Sequence, residues 1–128
     1  MNNLLLGFFA GLAALMHLLF FCLESLFWLH PAVRRIFRTN EEEARVTKFL
    51  AFNQGFYNLF LALGATAGLG LRGCGHPAAG QALLILSCGS MVGAAAVLAS
   101  GGRRYLRGAL MQGLPPFLAL LLLWLSVR

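Results

Sequence analysis

A histidine and a glutamate, His17 and Glu24, stand inside an apolar stretch that carries no other formal charge between Met1 and Arg34. Seven residues make nearly two α-helical turns, so the two side chains share one face and differ in depth by roughly 10 Å. Ionisable groups at membrane depth are costly, and where they occur they face the protein interior and serve a substrate, ion or proton path. A carboxyl above an imidazole offers proton exchange with a bound molecule.

The column needs partners, and the strongest candidates lie in the next apolar stretch. Gln54 and Asn58 are one turn apart on a common face, with Asn53 beside them. If the two helices run antiparallel, 1.5 Å per residue puts Glu24 level with Asn53 and Gln54, and His17 level with Asn58 near mid-bilayer. The expected pairs are therefore Glu24 with Asn53 or Gln54, and His17 with Asn58. Gln112 and Ser90 would contribute from later helices, and Tyr57 would supply a phenol to the same wall. The plainer alternative is that the amides only join helices, by interhelical hydrogen bonds worth about 0.6 kcal/mol each. That accounts less well for a buried carboxyl.

Other chemistries find little support. No nucleophile stands with a base and an orienting group, and no glycine loop of phosphate-binding form occurs. His17, His30 and His76 fall at three depths, so His17 would give haem a single axial ligand. Cys74 and His76 are two ligands in a glycine-rich turn, too few for a zinc site. No metal and no cofactor are expected.

The elements that must position the column are transmembrane helices. Of 128 residues, 59% are hydrophobic and 11% charged, well above the roughly 45–50% apolar content of soluble domains. Four stretches, 4–29, 49–71, 78–99 and 106–127, reach the roughly 17–25 residues that cross a hydrocarbon core. The first is read as a retained helix, because Met1, Asn2 and Asn3 give no basic leader. The expected fold is all-α, one domain over 1–128: a four-helix transmembrane bundle.

The formal charge of +6 follows topology, so no nucleic-acid partner is expected. Arg34, Arg35, Arg38, Arg45, Lys48, Arg103, Arg104 and Arg107 fall on one face, against Arg72 and Arg128 on the other. The positive-inside rule then puts both termini outside.

Local signals sharpen this outline. Pro31 ends the first helix near His30, and Val33, Ile36 and Phe37 share a face opposite Arg34, Arg35 and Arg38, as in a short helix lying on headgroups. Trp28 is placed as an interfacial anchor. Asn40 and Glu43 have the spacing of a capping box, and Glu41 to Arg45 adds an i to i+4 pair, so the second long helix begins at Glu41, in water. Three G-x-x-x-G spacings, Gly7/Gly11, Gly64/Gly68 and Gly89/Gly93, allow close helix contacts within the chain or, as the sharper alternative, in a homo-oligomer. Pro115 and Pro116 withdraw amide donors from Met111 and Gln112, predicting a kinked fourth helix. Cys22 and Cys88 are expected as small packing residues.

The string Asn53-Gln54-Gly55-Phe56-Tyr57-Asn58-Leu59-Phe60-Leu61-Ala62, with His17, Glu24 and Trp28 before it and Gln112-Gly113-Leu114-Pro115 after it, resembles a bacterial family of small integral-membrane proteins, domain of unknown function 1304. The resemblance implies a four-helix protein of the bacterial inner membrane and carries no activity with it. On the residues alone, the leading expectation is a pocket for a hydrophobic or amphipathic small molecule, moved against protons. The rivals are a membrane isomerase acting on a lipid-like substrate through His17 and Glu24, and a structural or partner-binding subunit.

Overall fold

The computed structural model describes residues 2–127 and is all-helical. Arg128, counted above on the outer face, lies outside the described residues. Five α-helices follow one another: α1 (Asn2–Phe21), α2 (Pro31–Phe37), α3 (Glu41–Gly73), α4 (Pro77–Ser100) and α5 (Leu106–Val127). A π-helical turn, Cys22–Leu26, extends α1, and a 3₁₀ turn, Arg103–Tyr105, leads into α5.

Helix boundaries follow local chemistry. Before α2, the His30 ring accepts from the Ala32 N–H at 3.3 Å, and Pro31 fills the first helical position, where a missing amide costs nothing. The helix closes on Arg38 in the left-handed region (φ 54°). The expected capping box opens α3: the Glu43 N–H donates to Asn40 Oδ1 at 2.9 Å, and the Asn40 N–H donates to Glu43 Oε2 at 3.0 Å. Arg45 Nη2 donates to Glu41 Oε1 at 2.7 Å, the expected i to i+4 pair. From there α3 runs 33 residues, about 50 Å. Pro115 and Pro116 lie inside α5 without ending it, and both are buried.

Packing joins α1 to α3, α3 to α4, α4 to α5 and α5 back to α1, while α1 and α4 barely touch across the middle. The facing surfaces are made of small residues. Helix α3 buries Ala51, Gly55, Asn58, Ala62, Ala65 and Gly68 in steps of three or four, and α1 buries Ala10, Ala13, Ala14 and His17. Short side chains let backbones approach, which drives helix association where lipid removes the hydrophobic advantage. A Cβ on Gly68 would lie 3.0 Å from the Gly80 carbonyl oxygen, and one on Gly64 would collide with the Ser87 hydroxyl. Gly7, Gly11, Gly89 and Gly93 face open space, so of the three glycine pairs only Gly64/Gly68 packs both members within the chain.

Large apolar side chains such as Leu4, Phe8, Leu15, Phe49, Leu63, Leu86 and Val97 point outward. Small residues inside and leucine and phenylalanine outside is the arrangement of helices facing lipid rather than water. Among the described residues, Asn3–Leu26, Pro77–Ser100 and Arg103–Ser126 are long and apolar enough to cross a membrane. The expected span at 49–71 does not join them: α3 has the length, but Asn53, Gln54 and Asn58 dilute its apolar content.

Two local expectations change at α2. Ile36 is exposed, whereas Arg34 turns inward and its guanidinium reaches Glu41 at 3.7 Å. Trp28 donates its indole N–H to the Ala44 carbonyl at 3.1 Å and packs on Phe37, with ring centroids 5.0 Å apart. It ties the loop to α3.

Candidate functional site

The site begins where α1 stops being regular. At Cys22–Leu26 the helix widens, and the Phe27 N–H reaches back five residues to the Cys22 carbonyl at 3.1 Å. A π turn advances fewer degrees per residue than an α turn, so Glu24 departs from the column that strict α geometry would give it. Such turns occur often at functional positions. Helix α3 receives it closely. A Cβ on Gly55 would strike the Ser25 hydroxyl and sit 3.2 Å from the Phe21 carbonyl oxygen, so only glycine lets the two backbones meet at this level. The Ser25 hydroxyl donates to the Phe52 carbonyl at 2.9 Å.

One turn deeper along α3, Asn58 Nδ2 donates to Glu24 Oε2 at 2.8 Å. Asn58 is buried and Glu24 half-buried, so this bond satisfies a carboxyl in surroundings where an unpaired one would cost several kcal/mol. Phe21 and Phe56 pack edge to face beside it, with ring centroids 5.2 Å apart.

His17 is 2% exposed and ranks among the largest fully buried side chains. Its Nδ1 lies 2.9 Å from the Ala13 carbonyl oxygen. A carbonyl only accepts, so Nδ1 carries a proton, and in its neutral form the ring has its Nε2 lone pair as an acceptor or base. Phe20 packs edge-on to the ring at 5.7 Å.

The structure therefore joins Glu24 to Asn58, where depth matching paired Glu24 with Asn53 or Gln54 and His17 with Asn58. The pairing moves by about one turn of α3. Asn53 and Gln54 are exposed, and Tyr57 is 58% exposed. Gln54, Tyr57 and Ser90 line a separate groove of about 470 Å³ between α3 and α4, together with Phe60, Gly64 and Ser87. Gln112 is half-buried on α5. Thus His17, Glu24 and Asn58 face the interior, while Gln54 and Tyr57 belong to another face. Ser25 and Gly55 shape the site and were missed by sequence reasoning. Their available signal was a serine directly after the buried acid and a glycine three residues before Asn58.

A second groove, of about 690 Å³, opens beside Glu24 between the loop at 27–30 and the first turns of α3. Glu24 and Ser25 line it together with Trp28, His30, Arg45, Lys48, Phe49 and Phe52. At its outer end, Arg45 by hydrogen bond and charge, and Arg34 by charge, hold the Glu41 carboxyl below the usual carboxylate range.

No curated protein and no solved structure matches this chain. The family described as "Protein of unknown function (DUF1304)" matches residues 11–124, which include His17, Glu24, Asn58 and both grooves. The resemblance carried by the Asn53–Ala62 string is thereby established, and the chain belongs to the DUF1304 family.

Proposed function

We propose that this chain is a small multi-pass protein of the bacterial inner membrane, folded as a four-helix transmembrane bundle with α3 as the fourth span. Both termini lie outside, and α5 bends at Pro115 and Pro116. Its interior site, formed by His17, Glu24 and Asn58, binds a hydrophobic or amphipathic small molecule and couples its movement to protons. The observation that carries this reading is the Glu24 carboxyl, held by Asn58 on a π turn instead of being discharged into water. Structural glue alone gives no reason for an acid at this depth, because an amide or hydroxyl would join the helices more cheaply. The roughly 10 Å between His17 and Glu24 along the helix is a span that a bound molecule can bridge.

Asn53, Gln54, Tyr57 and Gln112 remain candidate ligand contacts. In this reading Gln54 and Tyr57 act from the α3–α4 groove, at a distance from Glu24. The isomerase reading is favoured by one observation, the Nε2 lone pair that the Ala13 bond leaves on His17.

Glu24→Gln tests the site. It keeps the shape and an acceptor for Asn58 while removing the proton-carrying group. Purified variant protein should assemble as the wild type does but lose proton uptake on ligand addition. Equal proton uptake and equal ligand binding in the variant and the wild type would remove the functional pocket. An unchanged ligand accumulated in sealed vesicles identifies transport, and a chemically altered one identifies catalysis.

A further inference from the structure

The groove beside Glu24 changes character along its length. On α3, Lys48 and Phe49 follow Arg45 by three and four residues and precede Phe52 by four and three, so the four share a stripe that passes from cationic to aromatic. Phe27 and Trp28 form the facing wall, with His30 at its end. The order is that of water, interface and hydrocarbon, and Trp28 sits at the level where indole rings mark an interface.

Two of the three carboxylates in the Glu41–Glu42–Glu43 turn are engaged. Glu41 is shared by Arg34 and Arg45, and Glu43 is engaged by Asn40 and Thr39. Among the described residues no carboxylate lies within ion-pair distance of Lys48. At the floor, Glu24 is bonded to Asn58 and the walls are aromatic, so a molecule with a negative head finds its cations at the rim, on Arg45 and Lys48. The volume of about 690 Å³ falls within the roughly 300–1,000 Å³ of small-molecule sites.

We propose that this groove holds a membrane phospholipid with an anionic headgroup, its phosphate on Arg45 and Lys48 and its acyl chain along Phe49, Phe52 and Trp28. The proposal deepens the function above by naming the ligand's headgroup class, and it rests on that reading in taking Glu24 as the floor of the same site.

The test is native mass spectrometry of the full chain released from vesicles containing phosphatidylglycerol and phosphatidylcholine in equal amounts. Wild-type protein should retain phosphatidylglycerol preferentially. Lys48→Gln should weaken that preference roughly fivefold, and Arg45→Gln by a similar factor, as expected for one cation near an anionic head. The double variant Arg103→Gln/Arg104→Gln removes two charges from the other basic loop and should retain the lipid as wild type does. Equal retention of both lipids by the wild type, or equal loss in the Arg103/Arg104 variant, overturns the site. Displacement of the lipid by millimolar inorganic phosphate overturns the assignment to a lipid in favour of a soluble anion. Glu24→Gln separates the two readings: preference retained with proton uptake unchanged supports the groove and defeats the proton-coupled pocket. Loss of headgroup preference in Glu24→Gln defeats the orientation proposed here.

Discussion

Toward the start of α1, Leu6 and Ala10 pack with Leu84, Cys88, Ala119 and Leu123 through regular helices whose contact holds no charged or amide side chain. Past His17 the same helix widens into a π turn, carries Glu24 across to Asn58 and leaves a groove open toward the basic loop. The first region is closed by small and branched apolar side chains and needs nothing else. The second gives up regular geometry so that a carboxyl finds its amide and a glycine admits a serine. Irregular backbone on an otherwise uniform helix pair therefore marks the place where a polar group had to be satisfied, and that place is the candidate site.

The contrast can be broken most forcefully at Gly55. Gly55→Val pushes a branched side chain into Ser25 and the Phe21 carbonyl, and overpacking of this kind costs about 1–3 kcal/mol or more. The thermal midpoint in detergent should fall by several degrees, and ligand-dependent proton uptake should disappear with it. Gly89→Ala, at a position facing open space on α4, should leave the midpoint unchanged or raise it slightly, because alanine is the better helix former. Equal losses at the two glycines would show that the region around Glu24 is no more closely fitted than the rest.

A smaller effect is expected at Asn58. Asn58→Leu leaves the Glu24 carboxyl without its donor and should cost about 1–3 kcal/mol. The double variant Glu24→Leu/Asn58→Leu should recover much of that loss, because removing both partners leaves no unsatisfied group. Additive losses in the equilibrium unfolding cycle would mean that the two side chains do not depend on one another.

The smallest effect lies at the wet end of α3. Arg45 and Arg34 lower the Glu41 pKa, so the contribution of this pair is complete above the ordinary carboxylate pKa and is lost as pH falls through the lowered one. Amide exchange over the first turn of α3 should quicken across that acidic window. In Glu41→Gln it should be faster at neutral pH and insensitive to the window. Exchange around Asn58 should not respond.

Much of this was legible in the residues. The capping box, the Glu41–Arg45 pair, the boundary at Pro31 and the apolar stretches of α1, α4 and α5 all rest on short-range rules that tertiary packing did not override. That His17, Glu24 and Asn58 would need partners was also visible, because ionisable and amide groups stand out in apolar runs. The pairing was not. Depth matching assumed uniform α geometry, and the π turn, which has no composition of its own, shifts Glu24 by about one turn of α3. Asn53, Gln54 and Tyr57 were assigned inward by polarity alone. The buried stripe of α3 is instead mostly small, with Ala51, Gly55, Ala62, Ala65 and Gly68 in it and Asn58 admitted where it meets Glu24.

The polar face of α3 bears on how the chain enters a bilayer. Three helical stretches qualify for insertion on their own merits, and α3 does not, yet it lies between two that do. Its buried amide, that of Asn58, is matched by an acceptor on the preceding apolar stretch. Insertion of α3 should therefore be conditional on its predecessor during synthesis: with the segment ending at Leu26 deleted, or with Glu24 replaced by leucine, a glycosylation reporter placed after Gly73 should shift toward the non-translocated product.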